Sequence, residues 1–237
     1  MRIRGNRQCK SCGRTWSYYE TSMVECPSCG SLQSTSTDRE RRLHTATSDD
    51  YDLSEVRAAV DQQELTELAH RAVAVSREFV QGAGWIRGGA LEPLDDRYLA
   101  AQELVHVGGL VRQGLVQSEG EQLYFLELLR GADAGARPET ATIPEALRAG
   151  RVLGYAAAIE AYRADLRKLL DDEPEPAIGE ILGHLRDHIR RCQALDGELD
   201  PAIAEELVAA IRELTEYIDT GDPTALESAR GRLSGLV

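Results

Sequence analysis

The chain has 237 residues, 42% hydrophobic and 28% charged, a balance that fits a folded globular protein and excludes a disordered or fibrous one. No apolar run approaches the roughly 18 residues that cross a bilayer, and MRIRGNRQ lacks the apolar segment of a secretory signal. A cytoplasmic protein with no membrane contact is therefore expected. The net charge of −13 comes from 40 acidic against 27 basic residues, of which only Lys10 and Lys168 are lysine. Acidic surplus with so little lysine predicts a protein kept hydrated in molar salt, that is, a salt-in halophile.

Residues 1–45 run against that trend, with a net charge of +4 that leaves −17 for the remainder. A locally basic head on so acidic a chain points to an anionic partner. Within it, Cys9, Cys12, Cys26 and Cys29 have the spacing C-x2-C-x13-C-x2-C. Two residues between cysteines let both sulfurs enter one tetrahedral site, with bonds of about 2.3 Å to zinc. Gly13 and Gly30 follow the second cysteine of each pair, where positive φ turns amide N–H groups towards the sulfurs. Two disulfides would need an oxidising compartment, so a metal is expected, zinc first and iron as the other occupant. With every ligand a thiolate, no coordination position stays open and the site is structural. Between the pairs, TWSYYE and MVEC are expected to form a hairpin turning at Thr21 and Ser22, with Ile3 in a third strand.

The stretch resembles a zinc ribbon, similar to those of archaeal transcription factor B and of many small ribosomal or polymerase-associated proteins. The whole chain resembles a haloarchaeal family that joins such a ribbon to a helical domain. The resemblance implies one structural zinc per chain, and it leaves open whether the ribbon grips DNA, RNA or protein.

The expected division is a ribbon over 1–35, a linker over 36–52 and a helical domain over 53–237. Residues 31–52 are rich in Ser, Thr and Asp without an apolar period, which marks the linker. Asp52 and Glu55 suggest a capping box, then Leu53, Val56 and Val60 start a stripe that slips near Asp61–Glu64. It resumes at Leu65, Leu68, Ala72, Val75 and Phe79 and ends at Gly82 and Gly84. A second helical region over 96–131 breaks near Ser118–Glu121, and its LYFLELL segment is apolar enough to be deeply buried. The clearest helix runs from 144 to 170, with Val152, Ala156, Ile159, Arg163, Leu166 and Leu170 on one side and Tyr155 and Tyr162 beside it. After Pro174, helices over 177–195, 201–219 and 223–236 follow, the last two opened by Pro201 and Pro223. The predicted fold class is mainly α: a C-terminal α-helical bundle of five to seven helices with a small N-terminal β zinc ribbon.

Other motifs were weighed against this reading. The cysteines also resemble the iron-binding head of rubrerythrins, peroxidases that pair it with a di-iron bundle built on Glu-x-x-His motifs. Glu67 with His70 and Glu103 with His106 have that spacing. At 100° per residue the first pair faces away from the apolar stripe, whereas Glu103 faces inward with His106 at the edge, so one pair fits and one does not. Glu180, His184, His188 and Cys192 recur every four residues, but Cys192 falls on the buried side and the others progressively outside it, so a buried thiol beside solvated groups is expected. Trp85, among Gly82, Gly84, Gly88 and Gly89, is expected to plug the bundle where helices meet.

The functional expectation is a non-enzymatic adaptor or nucleic-acid-associated factor. Arg2, Arg4, Arg7, Lys10 and Arg14 would contact phosphates while Trp16, Tyr18 and Tyr19 offer stacking faces to RNA, DNA or a nucleoprotein machine such as the ribosome or RNA polymerase. The helical domain would bind protein or add bulk. The alternatives are protein docking without nucleic acid and a di-iron oxidoreductase.

Overall fold

The computed structural model describes residues 1–47, 50–116, 118–170 and 174–236. In the head, β2 (Asn6–Cys9) lies between β3 (Thr15–Ser17) and β4 (Ser34–Ser36), antiparallel to both. Arg7 sits opposite Trp16 on one neighbour and Ser36 on the other. β1 (Arg2–Ile3) pairs instead with β5 (Arg42–Leu43), so Ile3 does not extend the ribbon sheet.

The expected hairpin between the cysteine pairs does not form. Tyr18–Thr21 is a single helical turn, α1, closed by Ser22 in the left-handed region at φ 52°. Local bonds explain the difference: the Thr21 hydroxyl donates to Ser17 O at 2.8 Å, and Trp16 Nε1 donates to Met23 O at 3.0 Å. Hydroxyl-to-backbone bonds of this kind compete with strand pairing.

The stretch expected as a linker carries β4 and β5 and is tied down beyond them. Thr45 and Ala46 donate their N–H groups to Ile86 O at 2.8 and 3.0 Å, and His44 and Ala46 are buried. The tie is made through backbone groups, which need no apolar period in the sequence. Ser48 and Asp49 lie outside the described residues.

The joint between head and bundle is the hairpin β6 (Ile86–Arg87) and β7 (Ala90–Leu91). Arg87 donates to Tyr19 O at 2.6 Å and pairs with Glu92. Gly84 is obligatory here, because a Cβ would lie 2.2 Å from Thr45 O. Asp165 ties three segments together, accepting from the Thr45 hydroxyl at 2.5 Å, Trp85 N–H at 3.1 Å and Lys168 at 2.9 Å. Burial opposes the Asp165 charge, but those donors outweigh it and hold the carboxyl below its usual range.

The helices are α2 (Ser54–Arg57), α3 (Leu65–Gly82), α4 (Asp96–Arg112), α5 (Glu119–Gly131), α6 (Arg148–Leu169), α7 (Pro176–Ala194), α8 (Pro201–Thr220) and α9 (Pro223–Ser234). Asp52 makes no capping box: it accepts from Ser54 N–H two residues on, and α2 is one turn long. The box sits at α5, where Ser118 and Glu121 cap each other's backbone. LYFLELL buries only one side, with Tyr124, Phe125, Leu128 and Leu129 inside and Leu123 53% exposed. Pro201 and Pro223 open α8 and α9, as expected.

Two apolar clusters meet along α4 and α6, one gathering α3, α4 and α5, the other α6 to α9 with Trp85. Trp85 is buried, edge-on to Tyr98 and Tyr162, which is the plug expected of it. The α4–α6 approach is set by glycine: a Cβ on Gly154 would meet Glu103 Cα at 2.9 Å, and one on Gly150 would meet Val107 Cγ2 at 2.7 Å. Beside it, the buried Arg151 places all its donors. Nε reaches Glu103 Oε1 at 3.1 Å, Nη1 reaches Thr140 and Glu205 at 3.2 and 3.3 Å, and Nη2 reaches the Tyr124 hydroxyl and Pro138 O at 3.0 and 2.7 Å. A buried ion pair helps specify a packing only when its remaining polar groups are bonded, and on the arginine side this one meets that condition.

Gly154→Ala is expected to force α4 and α6 apart and cost about 1–3 kcal/mol in urea unfolding. Gly109→Ala, at a position with open space around its Cβ, should be neutral or stabilising by up to about 1 kcal/mol. Equal midpoints for the two variants would contradict the close crossing.

Candidate metal centre

The two cysteine turns are built alike. In the first, Cys9 N–H donates to Arg14 O at 2.8 Å and Gly13 N–H to Cys9 O at 3.1 Å. In the second, Cys26 N–H donates to Ser31 O at 3.0 Å and Gly30 N–H to Cys26 O at 2.9 Å. Gly13 and Gly30 have φ 78° and 69°, the left-handed conformation that glycine adopts without a Cβ penalty.

These turns bring all four sulfurs within 4.8 Å of one another, with Cys9–Cys29 and Cys12–Cys26 each at 3.6 Å. A tetrahedral zinc with bonds of about 2.3 Å separates its sulfurs by roughly 3.8 Å, so the arrangement fits a metal ion. Cys9 and Cys26 are buried and Cys12 and Cys29 exposed. The Cys12 amide N–H, helped by that of Ser11, holds the Cys9 thiol down to about 6. Burial raises Cys26, but the N–H groups of Ser28 and Cys29 prevail and lower it. For Cys29 the Ser31 N–H favours the thiolate, yet the neighbouring Cys12 and Cys9 sulfurs and burial push it up to about 12. Backbone donors thus favour thiolate while mutual repulsion forbids four of them, a conflict that a cation removes.

The expected contact residues separate into groups. Arg2 and Arg4 are exposed and Arg7 half-buried, and all three line a cleft of ≈ 440 Å³ with Ile3, Ser36 and Arg41. Lys10 and Arg14 are exposed on the first cysteine turn, outside that lining. Trp16 and Tyr19 are buried and present no stacking face: Trp16 packs on Cys9 and Cys26, and the Tyr19 hydroxyl donates to Ile3 O at 2.9 Å. Tyr18 is half-buried, edge-on to His44 at 5.8 Å. Arg41 was missed because it falls in the expected linker, although Arg39, Arg41 and Arg42 form a visible basic run.

One family profile matches residues 1–233, head and bundle alike, and it describes a family of unknown function, DUF7117. The chain belongs to this family. No curated protein and no solved structure matches it.

The other motifs of this family member stand apart from the cysteines. Glu67 and His70 are exposed, and Glu103 is engaged by Arg151 and Tyr124. Cys192 is buried, His188 half-buried, and His184 and Glu180 exposed, the gradient expected along α7. Among the described residues, only the four cysteines gather three or more ligating side chains this closely, and no helix is long and apolar enough to cross a membrane.

Cys26→Ser is expected to strip most of the metal and unfold the head, read by elemental analysis and by a red shift of the Trp16 emission. The helical signal at 222 nm should persist, because the bundle has its own core. Full metal content in the variant would contradict a four-thiolate site.

Proposed function

We propose that the chain is a non-enzymatic, cytoplasmic zinc-ribbon protein whose metal is structural and whose basic head docks on a nucleic acid or nucleoprotein machine. The observation that carries this reading is the pairing of a closed four-cysteine cluster with a head of net charge +4 on a chain of −13. Zinc suits four thiolates in a tetrahedron, and no position remains for substrate or water. The acidic, lysine-poor surface supports a halophilic setting, where the Debye length falls to about 3 Å and diffuse attraction to nucleic acid is screened. Arginines retained under those conditions act by direct contact. The helical bundle then serves as the body on which the head is mounted.

A second reading, protein docking alone, is favoured by the exposed Met23, Val24 and Leu32 around the second cysteine turn. Capture of the tagged chain at high salt, with and without nuclease, separates the two. The docking reading predicts co-purifying RNA or DNA and a partner set that collapses on nuclease treatment. Partners that all survive nuclease, with no nucleic acid present, would replace it with protein docking.

A further inference from the structure

The cleft on the head gathers several arginines on one surface. Many guanidinium groups elsewhere meet carboxylates: Arg57 with Asp133, Arg87 with Glu92, Arg137 and Arg212 with Asp96, Arg230 with Glu180, and Arg232 with Glu206 and Glu213. Arg4, Arg7 and Arg41 have no ion pair or side-chain hydrogen bond among the described residues, and Arg7 Nε is buried without a partner. The nearby carboxylate of Asp38 is turned to other work. Asp38 accepts from Asn6 N–H at 2.9 Å, from Asn6 Nδ2 at 2.6 Å and from the Tyr19 hydroxyl at 3.3 Å. In a chain with 40 acidic residues, three uncompensated guanidiniums around one cleft leave room for an anion from outside.

The shape of the donor set narrows that anion. Arg7 and Ser36 are cross-strand partners on β2 and β4, so their side chains share a face. Ser36 Oγ already accepts from Asp38 N–H at 3.2 Å, which leaves its own proton free to donate. Guanidinium forks from β2 and from the segments before β2 and β5, with a hydroxyl from β4, line one cleft and suit the several oxygens of a phosphate. Of the rings expected to stack on bases, Trp16 and Tyr19 are buried, and half-buried Tyr18 lies edge-on to His44, outside the cleft lining.

We infer that the cleft formed by Arg4, Arg7, Arg41 and Ser36 is a phosphate-binding groove that takes the sugar–phosphate backbone of a polynucleotide without reading its bases. It deepens the nucleic-acid reading above and rests on it. Contacts of this kind position a strand and carry no sequence information.

The test titrates metal-loaded, full-length protein with fluorescein-labelled oligo(dT) and oligo(dA) over a range of salt. Each phosphate contact to a single strand adds about 0.7 to the slope of log K against log salt. Arg4→Ala/Arg7→Ala/Arg41→Ala should therefore lower the slope by about 2, so that each fourfold rise in salt weakens wild type roughly 15- to 20-fold more than the variant. Both oligonucleotides should respond alike, while Lys10→Ala/Arg14→Ala keeps the cleft-dependent part of the slope. Should the triple variant lose metal, the exposed pair Arg4→Ala/Arg41→Ala carries the same test with a slope change of about 1.4.

An unchanged slope in the cleft variants, or an equal loss with poly-glutamate as ligand, would overturn the phosphate groove. If Lys10→Ala/Arg14→Ala alone abolished binding, the groove would fall and nucleic-acid docking by the head would stand. If wild type bound neither oligonucleotide but bound pyrophosphate in an arginine-dependent way, the polynucleotide and the docking reading would both fall.

Discussion

Four sulfurs within 4.8 Å of one another cannot all be thiolates unless a cation sits among them, and the head has little else to fold around. Its buried apolar cluster consists of Cys9, Cys26 and Trp16, so two of its three members belong to the four-cysteine cluster that could hold the ion. Structural zinc supplies about 10–16 kcal/mol of apparent binding free energy in small domains, far more than one tryptophan and a few short strands provide. The glycines at 13 and 30 and the paired turns serve that one demand. A metal held by all four cysteines would have no open coordination position, which is the ground for the structural role proposed above.

The head is in turn held against the bundle. β6 and β7 bond to residues 43–46, Arg87 reaches the Tyr19 carbonyl, and Asp165 collects Thr45, Trp85 and Lys168. Farther inside, the Gly154 crossing and the Arg151 network fix α6 against α4. A head held in this way presents Arg7 of β2 and Arg41 of the segment before β5 on a common cleft. In the function proposed above, that surface makes the contacts, and the metal and bundle act as its support.

Much of this was legible in the sequence because it is local. The cysteine spacing, the glycines behind it, and the prolines that open α8 and α9 each act within a few residues of themselves. The helical faces were legible too: Glu103 turns inward and Glu67 outward, as 100° per residue requires. The partner of Glu103 was not legible, since Arg151 is 48 residues away. The residues taken for a linker pair through their backbone, which leaves no apolar signature. Tyr18–Thr21 looked like a strand by composition, but two hydrogen bonds from Thr21 and Trp16 close it into a turn. That turn buries Tyr19 and removes a ring from the expected contact surface, while Arg41 enters the cleft from the supposed linker.

X-ray absorption at the metal edge of the intact protein, with and without bound oligonucleotide, tests the structural role of the metal most directly. Zinc surrounded by four sulfurs at about 2.3 Å, with a spectrum that does not change on binding, is the predicted result. A nitrogen or oxygen ligand in the first shell, or a shell that changes when the oligonucleotide binds, would show an open and reactive metal and contradict it.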